Sequence, residues 1–147
     1  MTVFAEYARY YDLLYKDKPY EQEVEYIIRV LKQHAPQAKS LLELGCGSGV
    51  HAAYLAKAGY HVDGVDQSDW MLARANERRK ALPDKLRFHK GDVRSIRLSA
   101  VDAVISLFHV VSYQTTDDDV NAMLATAAAH LAPGGLFFFD VWYGPAV

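Results

Sequence analysis

Three acids and three glycines carry most of the chemistry this sequence offers. Glu43 stands two positions before Gly45, and Gly45, Gly47 and Gly49 follow at every second position in LLELGCGSGVHAAYLAKAG. Asp66 closes the next apolar stretch, YHVDGVD, and Asp92 closes the one after it, directly behind Gly91 in KLRFHKGD. Each glycine costs roughly 0.5–1 kcal/mol of chain entropy relative to alanine, so three in five residues mark either a tight turn or backbone that a ligand must approach. The spacing is not the dinucleotide fingerprint G-x-G-x-x-G, because Val50 stands where the third glycine belongs. A P-loop is excluded too, since no Gly-Lys-Ser/Thr follows.

The charge at Glu43 separates the remaining ligands. A carboxylate at that place repels a pyrophosphate and attracts a cationic head. S-adenosylmethionine has an ammonium, a sulfonium and no phosphate. Its methionine part could lie on the glycine backbone with Glu43 facing the ammonium, directly or through water. Asp66 would then accept from both ribose hydroxyls, and Asp92 from an adenine amino group. Taken singly, each acid reads equally well as a solvated turn residue. One acid at each of three successive strand ends is the informative pattern.

Such a site needs a scaffold that gathers strand ends, and the chain alternates accordingly. Tyr20, Val24, Ile27, Ile28 and Leu31 have helical spacing, with acid in the first turn and Arg29 and Lys32 near the end. Residues 40–44 read as a strand, 50–58 as a helix stopped by Gly59, and 60–66 as a second strand. A helix capped by Ser68 or Asp69 follows, then strands over 85–92 and 101–108, the latter apolar enough for burial on both faces. Residues 117–135 read as a helix whose core face is Val120, Leu124, Ala127 and Leu131, and 136–142 as a fifth strand. Strands alternating with helices predict an α/β fold: a Rossmann-like, doubly wound, mostly parallel sheet. Ligands of such sheets bind beyond the carboxyl ends of the strands. The expected organisation is one domain over 1–147, with a helical lead over 1–38 and the core over 39–147.

Composition narrows the function classes. The 147 residues carry 16 Lys and Arg against 18 Asp and Glu, a formal charge of −2 that offers no basic field for nucleic acid or membrane. The single cysteine, Cys46, cannot form an internal disulfide, and no Cys/His cluster has metal spacing. No apolar run approaches the roughly 18 residues that span a bilayer, and the N-terminus lacks a signal-peptide pattern. A cytoplasmic protein with neither nucleic-acid, membrane nor metal partner is expected.

The segments LLELGCGSG, GVDQSDWML, KGDV and LAPGGLFFFD resemble the class I S-adenosylmethionine-dependent methyltransferases, and the likeness covers nearly the whole chain. It implies that S-adenosylmethionine is bound, S-adenosylhomocysteine being the product. The implied contacts come from Glu43, Gly45, Cys46, Gly47 and Gly49 in the loop, Asp66 and Gln67 after the second strand, and Gly91, Asp92 and Val93 after the third. Trp70 and Met71 would flank the adenine, and Leu107 or Phe108 would line the donor cavity.

The stretch YDLLYKDKPYEQEVEYI is similar to the tyrosine-rich lead helices of small-molecule members, notably those that methylate amino groups of nucleotide-linked sugars. That likeness puts Tyr15 near the sulfonium and acceptor and Tyr20 near the donor's methionine end. SLFHVVSYQ is similar to the acceptor-facing loop, which places His109 or Tyr113 beside the nucleophile. The cluster Tyr7, Tyr10, Tyr11 and Tyr15 reads equally well as helix packing.

Two alternatives stay open: a non-catalytic S-adenosylmethionine-binding module, and a nicotinamide-dependent oxidoreductase, against which Val50 argues. The family's sheet has seven strands, and this chain ends just past the fifth. The expectation is an exposed edge with Phe137, Phe138 and Phe139 in a row, homo-oligomers formed through it, and weak or no catalysis by the chain as given.

Overall fold

The computed structural model describes residues 16–142. Helix α1 (Tyr20–His34) is followed by β1 (Ser40–Leu44), α2 (Val50–Lys57), β2 (His61–Asp66), α3 (Asp69–Arg79), β3 (Leu86–Lys90) and β4 (Ala103–Ser106). A single 3-10 turn (Val110–Tyr113), α4 (Asp117–Ala129) and β5 (Leu136–Phe139) complete the order. The five strands form one parallel sheet in the order β3-β2-β1-β4-β5. The chain winds outward from β1 to β3, then crosses back to β4 on the other side of β1. The order reverses between β1 and β4, which is where this architecture opens a ligand crevice.

Strand alternation sorts the core into two layers. Leu41, Val62, Leu86, Ala103 and Ile105 face Val24, Ile27 and Leu31 of α1 and Ala52, Leu55 and Ala56 of α2. Leu42, Leu44, Val65 and Val104 face Met123 and Ala127 of α4. All of β4 is buried, its apolar Ala103, Val104 and Ile105 followed by Ser106, whose hydroxyl donates to Leu44 O at 2.9 Å. Each fully buried leucine contributes about 1.5–3 kcal/mol of transfer free energy. Leu42→Ala should therefore cost about 2–5 kcal/mol once its cavity is included.

Caps fall where the side-chain chemistry puts them. Ser68 Oγ accepts from Met71 N at 3.2 Å and starts α3, and Thr116 Oγ accepts from Asp119 N at 3.1 Å and starts α4. Gly59, at φ 108°, follows the end of α2. The face of α4 differs from the sequence expectation. Ala127 is buried, but its companions are Met123, Thr126 and His130, while Leu124 is 43% exposed and Val120 and Leu131 are half-buried. Leu124 and Leu131 instead line an open groove of about 410 Å³ with Pro133 and Phe137. His130 is what turns the helix. Its Nε2 accepts from Leu98 N at 2.8 Å and its Nδ1 donates to Thr126 O at 2.7 Å, so a satisfied histidine takes the core position that a period count gives to leucine.

Among the described residues no helix is long and apolar enough to cross a membrane. β5 pairs only with β4 there, and Phe139 is 43% exposed.

Candidate functional site

The glycine loop leaves β1 at the centre of the sheet and is shaped by three left-handed residues in alternation. Gly45, Gly47 and Gly49 have φ of 76°, 54° and 80°. Side-chain-bearing residues pay roughly 1–2 kcal/mol for that conformation, which accounts for the odd spacing. Gly45 N and Cys46 N both donate to Val65 O, at 2.8 and 2.9 Å, and so fold the loop over the end of β2. A Cβ on Gly45 would lie 2.6 Å from Val110, and one on Gly49 2.8 Å from Phe88. A Cβ on Gly47 would meet nothing within 4 Å. The bare backbone is therefore open at Gly47 alone of the three.

Glu43 lies beneath this loop, 1% exposed. Burial, reinforced by the charge of Asp66, pushes its carboxyl up to about 8. Its Oε1 is buried with no hydrogen-bond partner among the described residues. A buried carboxyl oxygen without a partner is costly unless a cation or donor arrives to pair with it. An amino-acid ammonium resting on Gly47 is such a partner, so the residues present fit S-adenosylmethionine. Cys46 is also buried, and burial, then Glu43 and Asp66, push its thiol well up, which leaves it unreactive packing.

Asp66 holds the loop in place. Its Oδ2 accepts from Gly47 N at 3.0 Å and its Oδ1 from Ser68 N at 2.9 Å. It thus ties the glycine loop to the start of α3, and each oxygen retains a lone pair for a ribose hydroxyl. Burial raises its pKa against the pull of those backbone donors.

Asp92 differs from the simple expectation of an open adenine acceptor. Arg94 engages both of its oxygens at 2.8–3.2 Å and lowers its pKa, so any amino group there must share an occupied carboxylate. Val93 is buried in the core layer under α4. Gly91 N donates to Asp66 O at 3.1 Å and brings these two strand ends together. Gln67 and Trp70 are exposed beside them, whereas Met71 is 8% exposed and packs inward.

The lead helix closes one flank. Lys18 pairs with Glu23, and its Nζ lies 4.6 Å from the Tyr20 ring centroid and 4.7 Å from that of Phe108. Glu23 Oε2 meets His51 Nε2 at 2.8 Å, and Tyr20 packs edge-on to His51 with centroids 4.9 Å apart. Burial alone would raise Glu23, but hydrogen bonds from Lys18 and His51 outweigh it and lower its pKa. Burial lowers His51. Tyr20, expected at the donor's methionine end, thus stands over the first turn of α2, directly behind the glycine loop.

The turn after β4 forms the other flank. Leu107 is buried. Phe108 and His109 both adopt left-handed backbone, at φ 63° and 65°, and both N–H groups donate to Asp140. His109 stacks obliquely against Trp142 at 5.8 Å between centroids, and Tyr113 meets Trp142 edge-on at 5.5 Å. Because Val110 rests on Gly45, this aromatic group abuts the glycine loop. Tyr15, with Tyr7, Tyr10 and Tyr11, lies outside the described residues.

Sequence reasoning missed Asp140, Trp142 and the Lys18–Glu23–His51 cluster. A signal existed for Asp140, which follows β5 as Asp66 and Asp92 end or follow theirs. Among the described residues no group of three His, Cys, Asp or Glu could hold a metal ion.

The chain is 36% identical over 143 residues to a dTDP-3-amino-3,4,6-trideoxy-alpha-D-glucopyranose N,N-dimethyltransferase of Streptomyces venezuelae, covering 95% of this chain and 59% of that protein. It is 34% identical over 143 residues to a dTDP-3-amino-3,6-dideoxy-alpha-D-glucopyranose N,N-dimethyltransferase of Streptomyces fradiae, covering 95% and 54%. Among solved structures, SAM-bound CalS10, an amino pentose methyltransferase from Micromonospora echinaspora, superposes with a TM-score of 0.83 at 34% identity, over 92% of this chain and 57% of that one. The chain thus spans less than two thirds of the length of these relatives. The methyltransferase domain family matches residues 41–135, from the first core strand to the turn before β5. With that match and the class I methyltransferase arrangement of its sheet, the chain belongs to the methyltransferase domain family.

Proposed function

We propose that this chain forms the donor-binding part of an S-adenosylmethionine-dependent methyltransferase whose acceptor is an amino group on a nucleotide-linked sugar. The observation that carries the donor is Glu43, a buried carboxyl with an unpartnered oxygen beneath an open glycine. The acceptor class is supported by the relatives, whose names specify dTDP-linked amino sugars.

S-adenosylmethionine supplies an electrophilic methyl on a sulfonium, which the acceptor nitrogen takes by in-line displacement. The protein's task is alignment, which can supply most of the acceleration in such a reaction. Gly45, Gly47 and Glu43 hold the amino-acid end, Asp66 the ribose and Asp92 the adenine. Cys46, Gln67, Gly91, Val93, Trp70 and Met71 surround them, and Leu107 and Tyr20 close the flanks. An amine that arrives protonated must lose a proton before it attacks, and His109 is the residue for that transfer. Tyr113, with Tyr15, would shape the acceptor mouth.

Two further elements belong to the proposal. A lone, buried thiol suits a reducing, cytoplasmic setting. The outer edge of β5, with Phe139 exposed, favours pairing between two copies of the chain.

A methyl-transfer assay of the full-length protein with a dTDP-linked amino sugar tests the whole reading. His109→Ala and Tyr113→Phe should each lower turnover while leaving donor affinity unchanged. Turnover within about twofold of the parent for both would leave proximity as the sole source of rate. Donor binding without any turnover would favour the non-catalytic module. NAD binding would favour an oxidoreductase, which the missing third glycine of the dinucleotide fingerprint, Val50 in this loop, disfavours.

A further inference from the structure

The loops leaving β4 and β5 are stitched together, and one carboxylate makes the principal stitches. Phe108 N donates to Asp140 Oδ2 at 2.9 Å and His109 N to Asp140 Oδ1 at 2.6 Å. Asp140 N in turn donates to Ser106 O at 3.2 Å, and Trp142 N to Ser112 Oγ at 3.0 Å. Phe108 and His109 are the only described non-glycine residues with positive φ. Two such residues in succession persist only where the surroundings over-determine them. Paired bonds to an ionised carboxylate are strong enough to do so.

The two residues of this turn serve different sides of the site. The Phe108 ring contacts Lys18 Nζ and so joins the cluster formed with Tyr20, Glu23 and His51. The His109 ring lies against Trp142. His109 Nδ1 is buried with no hydrogen-bond partner among the described residues, and it stands 3.8 Å from the Asp140 oxygen that already holds its own N–H. A small rotation of the ring would bring Nδ1–H onto that carboxylate and leave Nε2 as the proton acceptor.

We propose that Asp140 is a positioning residue for methyl transfer. It holds the Phe108–His109 turn in its left-handed form, which fixes Phe108 against the donor flank and His109 against the acceptor flank. This rests on the proposed role of His109.

Asp140→Asn in the full-length protein tests it, because the amide offers one acceptor oxygen to two N–H groups. The expected result is a kcat lower by about tenfold or more, the scale of loss that small misplacements produce. Acceptor KM and the Kd for S-adenosylmethionine should stay near the parent values. The Phe108 and His109 amides should exchange with solvent markedly faster, while the sheet amides keep their protection. Unchanged exchange at these two amides, or an unchanged kcat, would overturn the proposal. So would loss of donor affinity in step with melting temperature, the sign of a merely structural role. Where Asp140→Asn does not fold, Asp140→Glu keeps the charge and moves it by one methylene. Reduced kcat with parental donor affinity would then support the role, and parental kcat would overturn it. A parent enzyme that transfers no methyl to an amino sugar would defeat the proposed function instead, and the amide exchange would still decide whether Asp140 holds the turn.

Discussion

The Asp66 charge reaches Glu43 across the ends of β1 and β2, and it adds to burial in lifting Glu43 to about 8. The two acids at neighbouring strand ends under the glycine loop are thus coupled, and that coupling can be measured.

The first consequence is a proton linkage. The folded pKa of Glu43 lies above the value of 4.5 for an unperturbed carboxyl, so between about pH 4.5 and 8 the folded state binds more protons than the unfolded one. The contribution of Glu43 is fully present below that window and is lost as pH rises through it. Glu23 and Asp92, whose pKa values are lowered, act in the opposite sense and cost stability at acid pH. Thermal unfolding from about pH 5 to 8 should show Glu43→Gln gaining on the parent as pH rises. Parallel curves for the two proteins would mean that Glu43 is ionised in the folded state. An incoming ammonium reverses the preference, so donor binding at about pH 6–7 should release a proton. Calorimetry in buffers of different ionisation enthalpy reads that release, and Glu43→Gln should abolish it.

A second prediction separates the glycines. Gly45→Ala drives a Cβ into Val110 at 2.6 Å in a left-handed backbone, so it should cost stability as well as donor affinity. Gly47→Ala has room for its methyl and pays only the conformational penalty, roughly 1–2 kcal/mol. It should therefore fold and bind the donor poorly, since the methyl would occupy the surface on which the proposed function rests the methionine part. A Gly47→Ala protein with parental affinity would move the ligand off this loop.

Association is the third. The chain as given presents β5 with one described partner strand and Phe139 at its edge. Light scattering should find mass rising with concentration, and Phe139→Lys should shift the balance to monomer by placing a charge on the strand. A monodisperse monomer at high concentration would show that the edge is closed.

The sequence carried the fold because each element there is locally decided. Alternating apolar runs, Ser68 as a cap and Gly59 as a stop all act within a few residues. The placement of Glu43 and Asp66 at strand ends was legible for the same reason. What was not legible depends on partners distant in sequence. Asp140 reaches back 32 and 31 residues to Phe108 and His109, and His51 meets Glu23 across 28. The α4 face was misjudged because His130 satisfies both ring nitrogens internally, which hydropathy alone does not register.

The central claim is that the loop and its strand-end acids hold S-adenosylmethionine, and a calorimetric titration tests it most directly. S-adenosylmethionine should bind saturably with one site per chain, and NAD should not bind. Asp66→Ala should weaken the donor by about 1–3 kcal/mol, since two ribose hydroxyls and the Gly47 N–H lose their charged acceptor. Binding of NAD in place of S-adenosylmethionine, or parental donor affinity in Asp66→Ala, would contradict the account.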